Sequence, residues 1–358
     1  MNSKEKFINY YQKEKNILEK EMTQYNKQLI QEENLLIKEN IEVFKNLNMD
    51  GKMIRGILVK LGYHLLKEKT DYSNQLALAY ELFQTSILVH DDIIDKDEKR
   101  RGKDTIHTAY YNKHKSEDEE IEDTKHIANS VALCIGDYGL FSANKIISEN
   151  YQNDKNIGKV LNNFNSTVLN TIKGELLDVI LPSQSKKQLI NQFALEDNIM
   201  NIYRLKTAHY TIIGPLSVGM ILAGADSKKI RDIHEFGEKV GIAFQIHDDI
   251  LGIYSDEMGK VKGSDIKEFK QTILYSYICT TLYKKELLKY YGIDSLTDEI
   301  IEKVKDLFEK SGAKKYAETK MNEMYQESIK ILKSINWLDT EKKELLEGFV
   351  EYLKSRNK

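Results

Sequence analysis

Only two prolines, Pro182 and Pro215, occur in 358 residues. Proline removes a backbone donor and clashes one turn back, so a chain this poor in it can run in long helices. No segment alternates apolar and polar residues with the period of two that marks a half-buried strand, and the turn dipeptides of β-hairpins are missing. Apolar residues recur instead at helical spacing. Within 4–46, Phe7, Ile17, Leu18, Leu29, Leu36 and Phe44 are interspersed among charges, which predicts one or two amphipathic helices. Further helices are expected over 53–68, 73–96, 127–150, 157–181, 186–204, 206–223, 227–252, 267–290, 297–310, 313–335 and 340–355. The polar stretch KHKSEDEEIEDTK at 113–125 reads as a solvated acidic loop. The expected fold class is all-α: one large bundle of long helices around a central cavity, a single domain over 1–358 with an N-terminal helical segment at 1–47.

Hydrophobic residues make up 41% of the chain, enough for a substantial core. Charged residues reach 30% with the signs mixed, and the net charge is -3, so no basic excess points to nucleic acid. Two cysteines, Cys134 and Cys279, are too few and too isolated for a disulfide framework or a zinc site, which suits a reducing compartment. The N-terminus is polar, without the apolar core of a signal peptide. No apolar run approaches the ~20 residues a membrane-spanning helix needs. A cytoplasmic protein with no transmembrane segment is expected.

The strongest chemical signal is ELFQTSILVHDDIIDKDEKRRG at 81–102. On a helix Asp91 and Asp95 lie ~5–6 Å apart on one face, and Asp92 flanks them. Carboxylates so placed repel each other unless a cation joins them. Magnesium prefers oxygen ligands, and one or two carboxylates plus phosphate oxygens commonly hold it. Arg100 and Arg101 follow, and arginine suits phosphate oxygens. Alone, such a motif is more often an acidic helix end facing water. The apolar flanks Leu82, Leu88, Val89, Ile93 and Ile94 argue for a cavity mouth instead.

A second cluster, GIAFQIHDDILGIYSDEMGKVKGSDIKEFK at 241–270, repeats the design. Asp248 and Asp249 follow an apolar helical run, Gln245 lies one turn earlier, and Gly259, Lys260 and Gly263 suggest a loop able to approach phosphate. Asp265 and Lys270 come after it. The two acidic helix ends are expected to face one another and to hold a diphosphate and several magnesium ions. Between the clusters, GELLD supplies Glu175 and Asp178, and YRLKTAHY supplies Lys206 and Thr207. Lys206 stands in an apolar helix and wants an anionic partner, unless it snorkels to the surface.

In order along the chain, GKMIRG, DDIID with RRG, GDYGLFSAN, GELLD, KTAHY with GP, FQIHDDILG and GK–GSD–K resemble the motifs of the trans-isoprenyl diphosphate synthases, the farnesyl and geranylgeranyl diphosphate synthase family. The resemblance runs from residue 51 to 321. It implies a magnesium-dependent prenyltransferase, usually a homodimer, that condenses isopentenyl diphosphate with an allylic diphosphate. By the resemblance, Lys52, Arg55, Gln84 and Arg101 bind isopentenyl diphosphate. Asp91, Asp92, Asp95, Asp248 and Asp249 form the metal clusters, with Asp91, Asp95 and Asp248 as ligands, and three magnesium ions are expected. Arg100, Lys206 and Lys260 clamp the allylic diphosphate, while Gln245, Asp249, Asp265 and Lys270 support the second site. Thr207 and Gln245 aim oxygen dipoles at developing positive charge. Two departures stand out. Gly252 replaces a third aspartate, and Gly56 stands where proline is usual, a change expected to lie away from the charges.

Helix geometry also suggests product length. Phe83, Ile87, Asp91 and Asp95 share a stripe, with Ile87 ~6 Å and Phe83 ~12 Å from Asp91 at ~1.5 Å rise per residue. Farnesyl synthases that this chain resembles usually place aromatics just before the first aspartate, where Ser86 and Ile87 stand here. A tunnel passing Ile87 and ending at Phe83 implies geranylgeranyl diphosphate or a longer product. The rival readings are a class I terpene cyclase on the same fold and a non-catalytic subunit of a heteromeric synthase. Retention of the isopentenyl-binding residues opposes the first, and retention of both aspartate clusters opposes the second.

Overall fold

The computed structural model describes residues 1–29, 34–68, 70–115, 121–186, 192–255, 263–293 and 295–356. It is all-α, as expected, apart from one minimal hairpin. Along the chain run α1 (Ser3–Leu29), α2 (Leu35–Met49), α3 (Ile54–His64), α4 (Asn74–Ile94), the strands β1 (Lys99–Arg100) and β2 (Lys103–Asp104), α5 (Ile106–His114), α6 (Ile121–Asn150) and α7 (Ile157–Lys186). Next come α8 (Gln192–Ile202), a π-helical segment (Tyr203–Ile213), α9 (Gly214–Leu222) and α10 (Ser227–Tyr254). The chain ends with α11 (Ser264–Lys267), α12 (Ile273–Ile278), α13 (Lys284–Leu287), α14 (Asp298–Lys310), α15 (Ala313–Ser334) and α16 (Thr340–Lys354).

The chain divides into two compact units. One comprises Asn9–Asn163 with Pro215–Asp226. In it α4 packs along α6 and against α3, and α5 packs on α6. Glycines set the closest approach: a Cβ on Gly62 would fall 2.1 Å from the Leu216 carbonyl oxygen. The other unit comprises Met1–Ile8, Phe164–Gly214 and Ser227–Lys358. There α10 packs against α15 and the π-helical segment. Its core includes Ile242, Ile246 and Ile250 of α10 with Val304, Phe308 and Ala317 of α14 and α15. The Ile side chains recur every four residues, so one apolar stripe of α10 is buried along its length.

Local chemistry explains several helix starts. Asn34 accepts from the Leu36 and Ile37 amides ahead of α2, Thr297 from Ile300 ahead of α14, and Asp339 from Lys342 ahead of α16. Three expectations need correction. The segment 267–290 is not one helix. It breaks at Phe269, whose φ is 59°, and restarts where the Thr272 side chain caps α12. The acidic stretch is not wholly loop: Lys113 and His114 close α5, and 121–125 open α6, where Glu122 and Asp123 suit the positive end of the helix. Its residues 116–120 lie outside the described residues. Finally, a hairpin does form. Arg101 (φ 52°) and Gly102 (φ 79°) make its two-residue turn between β1 and β2, with the positive φ pair that a tight hairpin requires.

Candidate active site

The first aspartate cluster ends α4. Asp95 caps the helix, and its amide still bonds to the Asp91 carbonyl at 2.8 Å. Asp91 and Asp95 therefore keep the one-turn spacing that puts them on one face. Lys96 then takes a left-handed conformation, and the hairpin turns the chain back. That reversal delivers Arg100 to the helix end, where its Nε donates to Asp92 Oδ1 at 2.5 Å and its Nη2 lies 3.6 Å from Asp91 Oδ2. Asp92 is 1% exposed. Burial pushes its pKa up to about 6, even though Arg100 pulls in the other direction. Asp92 is thus the locked member of the cluster, and Asp91 and Asp95 are its more accessible neighbours.

Upstream on α4 lie the residues expected to set product length. Phe83 is fully buried, its ring edge-on to Tyr80 at 6.3 Å. Ser86 is also fully buried, and its hydroxyl donates to the Gly136 carbonyl of α6 at 2.5 Å. Ile87 and Gln84 are half-buried. In the same unit the Tyr11 hydroxyl donates to the Lys52 carbonyl at 2.7 Å, fixing the chain just before α3. Lys52 and Arg101 are exposed, and Arg55 is half-buried.

In the other unit, the π-helical segment carries Tyr203, Lys206 and Thr207 between α7 and α10. Two glycines permit its close packing. A Cβ on Gly174 would meet the Lys206 nitrogen at 2.5 Å, and one on Gly241 would meet Ala208 Cα at 2.4 Å. Lys206 Nζ lies 2.7 Å from both Glu175 Oε2 and Asp178 Oδ2. Lys270 Nζ shares that Asp178 oxygen at 3.1 Å and lies 3.7 Å from Glu268. Burial raises the Asp178 pKa, but the two ammonium groups outweigh it and hold the carboxyl below its usual value.

A second chain of bonds runs through Asp249. Thr207 Oγ1 donates to Gln245 Oε1 at 2.5 Å, and Gln245 Nε2 donates to Asp249 Oδ1 at 2.8 Å. The Tyr203 hydroxyl donates to the other Asp249 oxygen and accepts the Ile273 amide at 2.7 Å. Asp249 is 4% exposed, and burial, with Asp265 adding to it, drives its pKa well above the ordinary carboxylate value. Asp248, one position earlier, accepts from Arg356, whose guanidinium lies 4.5 Å from the Phe244 ring centroid. The two clusters share one design: a buried second aspartate held by a side chain from another element, beside a more accessible first aspartate.

A family model described as polyprenyl synthetase matches residues 38–309. The chain belongs to the polyprenyl synthetase family. The chain is 27% identical over 266 residues to a short chain isoprenyl diphosphate synthase of Methanocaldococcus jannaschii, covering 73% of each chain. It is 27% identical over 315 residues to a geranylfarnesyl diphosphate synthase of Aeropyrum pernix, covering 86% of this chain and 91% of that one. Its fold matches a geranylgeranyl pyrophosphate synthase from Corynebacterium glutamicum, solved with isoprenyl diphosphate and magnesium, at a TM-score of 0.87 and 24% identity, over 96% and 99% of the two chains.

Several features of the site were invisible in the sequence. Tyr203, Glu268 and Arg356 carry no motif signal, since their partners lie elsewhere in the chain. Gly252 does not leave a void: a Cβ there would lie 3.2 Å from Asp265 Oδ2, so the Asp265 carboxylate reaches the space beside it. Gly56 is not remote from charge, because its amide donates to Glu81 Oε1 at 2.6 Å. Lys260 lies outside the described residues. Among the described residues no three acidic, histidine or cysteine side chains form a ready-made metal cage. The donors present still fit magnesium. They are carboxylate oxygens in ones and twos, the arrangement phosphate and water complete, and Arg100 and Arg356 show that each cluster accepts a cation.

Proposed function

We propose that this chain is a magnesium-dependent prenyltransferase that condenses isopentenyl diphosphate with an allylic diphosphate and releases pyrophosphate. The observation that carries this reading is the pair of bond networks, one holding Lys206 on Asp178 and the other joining Thr207, Gln245 and Asp249, which together present an ammonium and two oriented oxygens from adjoining helices. Such a set suits a reaction in which a diphosphate departs and leaves a carbocation.

Asp91, Asp95 and Asp248 are the residues that would hold magnesium. Asp92 and Asp249 hold their neighbours in place through Arg100 and through Tyr203 with Gln245. Magnesium, when bound, neutralises the leaving diphosphate and weakens the allylic C–O bond. Lys206 and Arg100 are the groups assigned to the allylic diphosphate, and Lys270 steadies Lys206 through their shared Asp178. As that bond breaks, its electron pair leaves with pyrophosphate. The Thr207 hydroxyl oxygen and the Gln245 carbonyl oxygen face the allylic cation, and fixed dipoles of this kind need no reorganisation during the reaction. Lys52, Arg55, Gln84 and Arg101 hold isopentenyl diphosphate, whose double bond attacks the cation. The proton lost from the adduct goes to pyrophosphate. Water has to be kept from the cation, which it would otherwise capture as an alcohol.

Phe83 is the tunnel floor, and the product is geranylgeranyl diphosphate or longer. Ser86 affects product length only through the α4–α6 spacing, because its hydroxyl is engaged on α6. No helix among the described residues is long and apolar enough to cross a membrane. A homodimer is supported by exposed apolar side chains on two helices: Leu133 and Phe141 on α6, and Leu169, Leu176 and Val179 on α7.

The decisive experiment is mass analysis of products from isopentenyl diphosphate with each allylic primer, with and without magnesium. Elongation only with the metal is expected. A hydrocarbon formed from geranylgeranyl diphosphate alone would replace this reading with a cyclase.

A further inference from the structure

We infer that Glu81 is a positioning residue for isopentenyl diphosphate, holding the first turn of α3 so that Arg55 meets the diphosphate. The inference rests on the role proposed above for Arg55.

Helix α3 starts without a cap of its own. Met53 precedes it in a left-handed conformation (φ 52°) and offers no side-chain bond to the first amides. Those amides need an acceptor. Glu81, on α4 and 5% exposed, supplies it: Oε1 accepts from the Gly56 amide at 2.6 Å, and the Arg55 amide also bonds to the carboxylate. Burial raises the pKa of this carboxyl, and the positive charges of Arg55 and Arg101, two of the groups assigned to the diphosphate, oppose that rise.

Gly56 supplies one of the two amides in this cap. Proline, usual at this place in the motif that the sequence resembles, has no N–H to give. A Cβ at 56 would also fall 2.5 Å from Leu18 Cδ2, 2.8 Å from the Ala77 carbonyl oxygen and 3.1 Å from Glu81 Cγ. Glycine therefore both donates the bond and lets α3 approach α4. Glu81 then holds the backbone of Arg55 on one side while its charge balances the guanidinium groups on the other.

Glu81→Gln keeps an oxygen acceptor but removes the charge. Steady-state kinetics should show the KM for isopentenyl diphosphate raised about tenfold, with the KM for the allylic substrate changed less than about twofold. An unchanged KM overturns the inference. So does a lower KM, expected if Glu81 merely screens the arginines, or an equal rise for both substrates. Arg55→Gln separates the two levels of the argument. If it leaves the isopentenyl KM unchanged, the role of Arg55 fails. If it raises that KM while Glu81→Gln is silent, only the positioning role fails. Should Glu81→Gln not fold, Glu81→Asp keeps the charge with a shorter reach. It should raise the isopentenyl KM alone, and an unchanged KM would be decisive against the inference.

Discussion

The Lys206 ammonium lies 2.7 Å from one oxygen of Asp178, and Lys270 shares that oxygen at 3.1 Å. One carboxylate thus sets the position of two cations on different elements. Replacing it with an amide keeps the shape and removes the charge. Asp178→Asn should lower kcat/KM for the allylic substrate by about 100-fold, the scale of loss expected when reacting groups shift by an ångström. Steady-state kinetics with varied allylic diphosphate checks this. A loss confined to isopentenyl diphosphate would place the two lysines at the other substrate.

Tyr203 binds Asp249 through a hydroxyl that also receives the Ile273 amide. Tyr203→Phe leaves a buried carboxylate and a buried N–H each short of a partner. It should destabilise the protein by about 2–6 kcal/mol, since each unsatisfied group costs about 1–3 kcal/mol. Urea denaturation gives the value, and kcat should fall as well because Gln245 loses its fixed neighbour.

Phe83 is completely buried. Phe83→Ala should lengthen the product by one or more isoprene units and cost about 3–5 kcal/mol of stability through the cavity it leaves. Product chromatography against prenyl alcohol standards decides it. An unchanged product in a folded variant would show that the floor lies elsewhere.

His209, in the π-helical segment, has its ring 5.1 Å from that of His234. Burial first, and His234 second, lower its pKa to about 4, with Glu238 opposing them. An unfolded histidine titrates near ~6.5, so between these values the unfolded chain takes up a proton that the native one refuses. The stability from neutral His209 is complete above pH ~6.5 and is lost as pH falls through about 4, amounting to roughly 2–3 kcal/mol. His209→Gln should flatten the stability profile across that window relative to wild type. Parallel denaturation curves from pH 4 to 7 test this, and identical slopes would refute it.

What the sequence determined follows from local chemistry. Few prolines and apolar residues at helical spacing set the all-α class, and the spacing of Asp91 from Asp95 set a shared face because a helix turn spans four residues whatever surrounds it. Motif order carried the family. Distant pairing and backbone reversal were out of reach. Arg100 returns to Asp92 only because Arg101 and Gly102 turn a hairpin that no familiar dipeptide announced. Residues 267–290 hold helical spacing yet break at Phe269, where the next amides bond outside the segment, Ile273 to Tyr203. Asp248 meets Arg356 across 108 positions of chain. Glu81 and Gly56, 25 positions apart, meet because α3 and α4 pack closely enough for a glycine amide to reach a carboxylate. Helical periodicity is a property of neighbours along the chain and can be read there. Which buried carboxylate meets which donor depends on how the helices pack, and only the tertiary structure decided it.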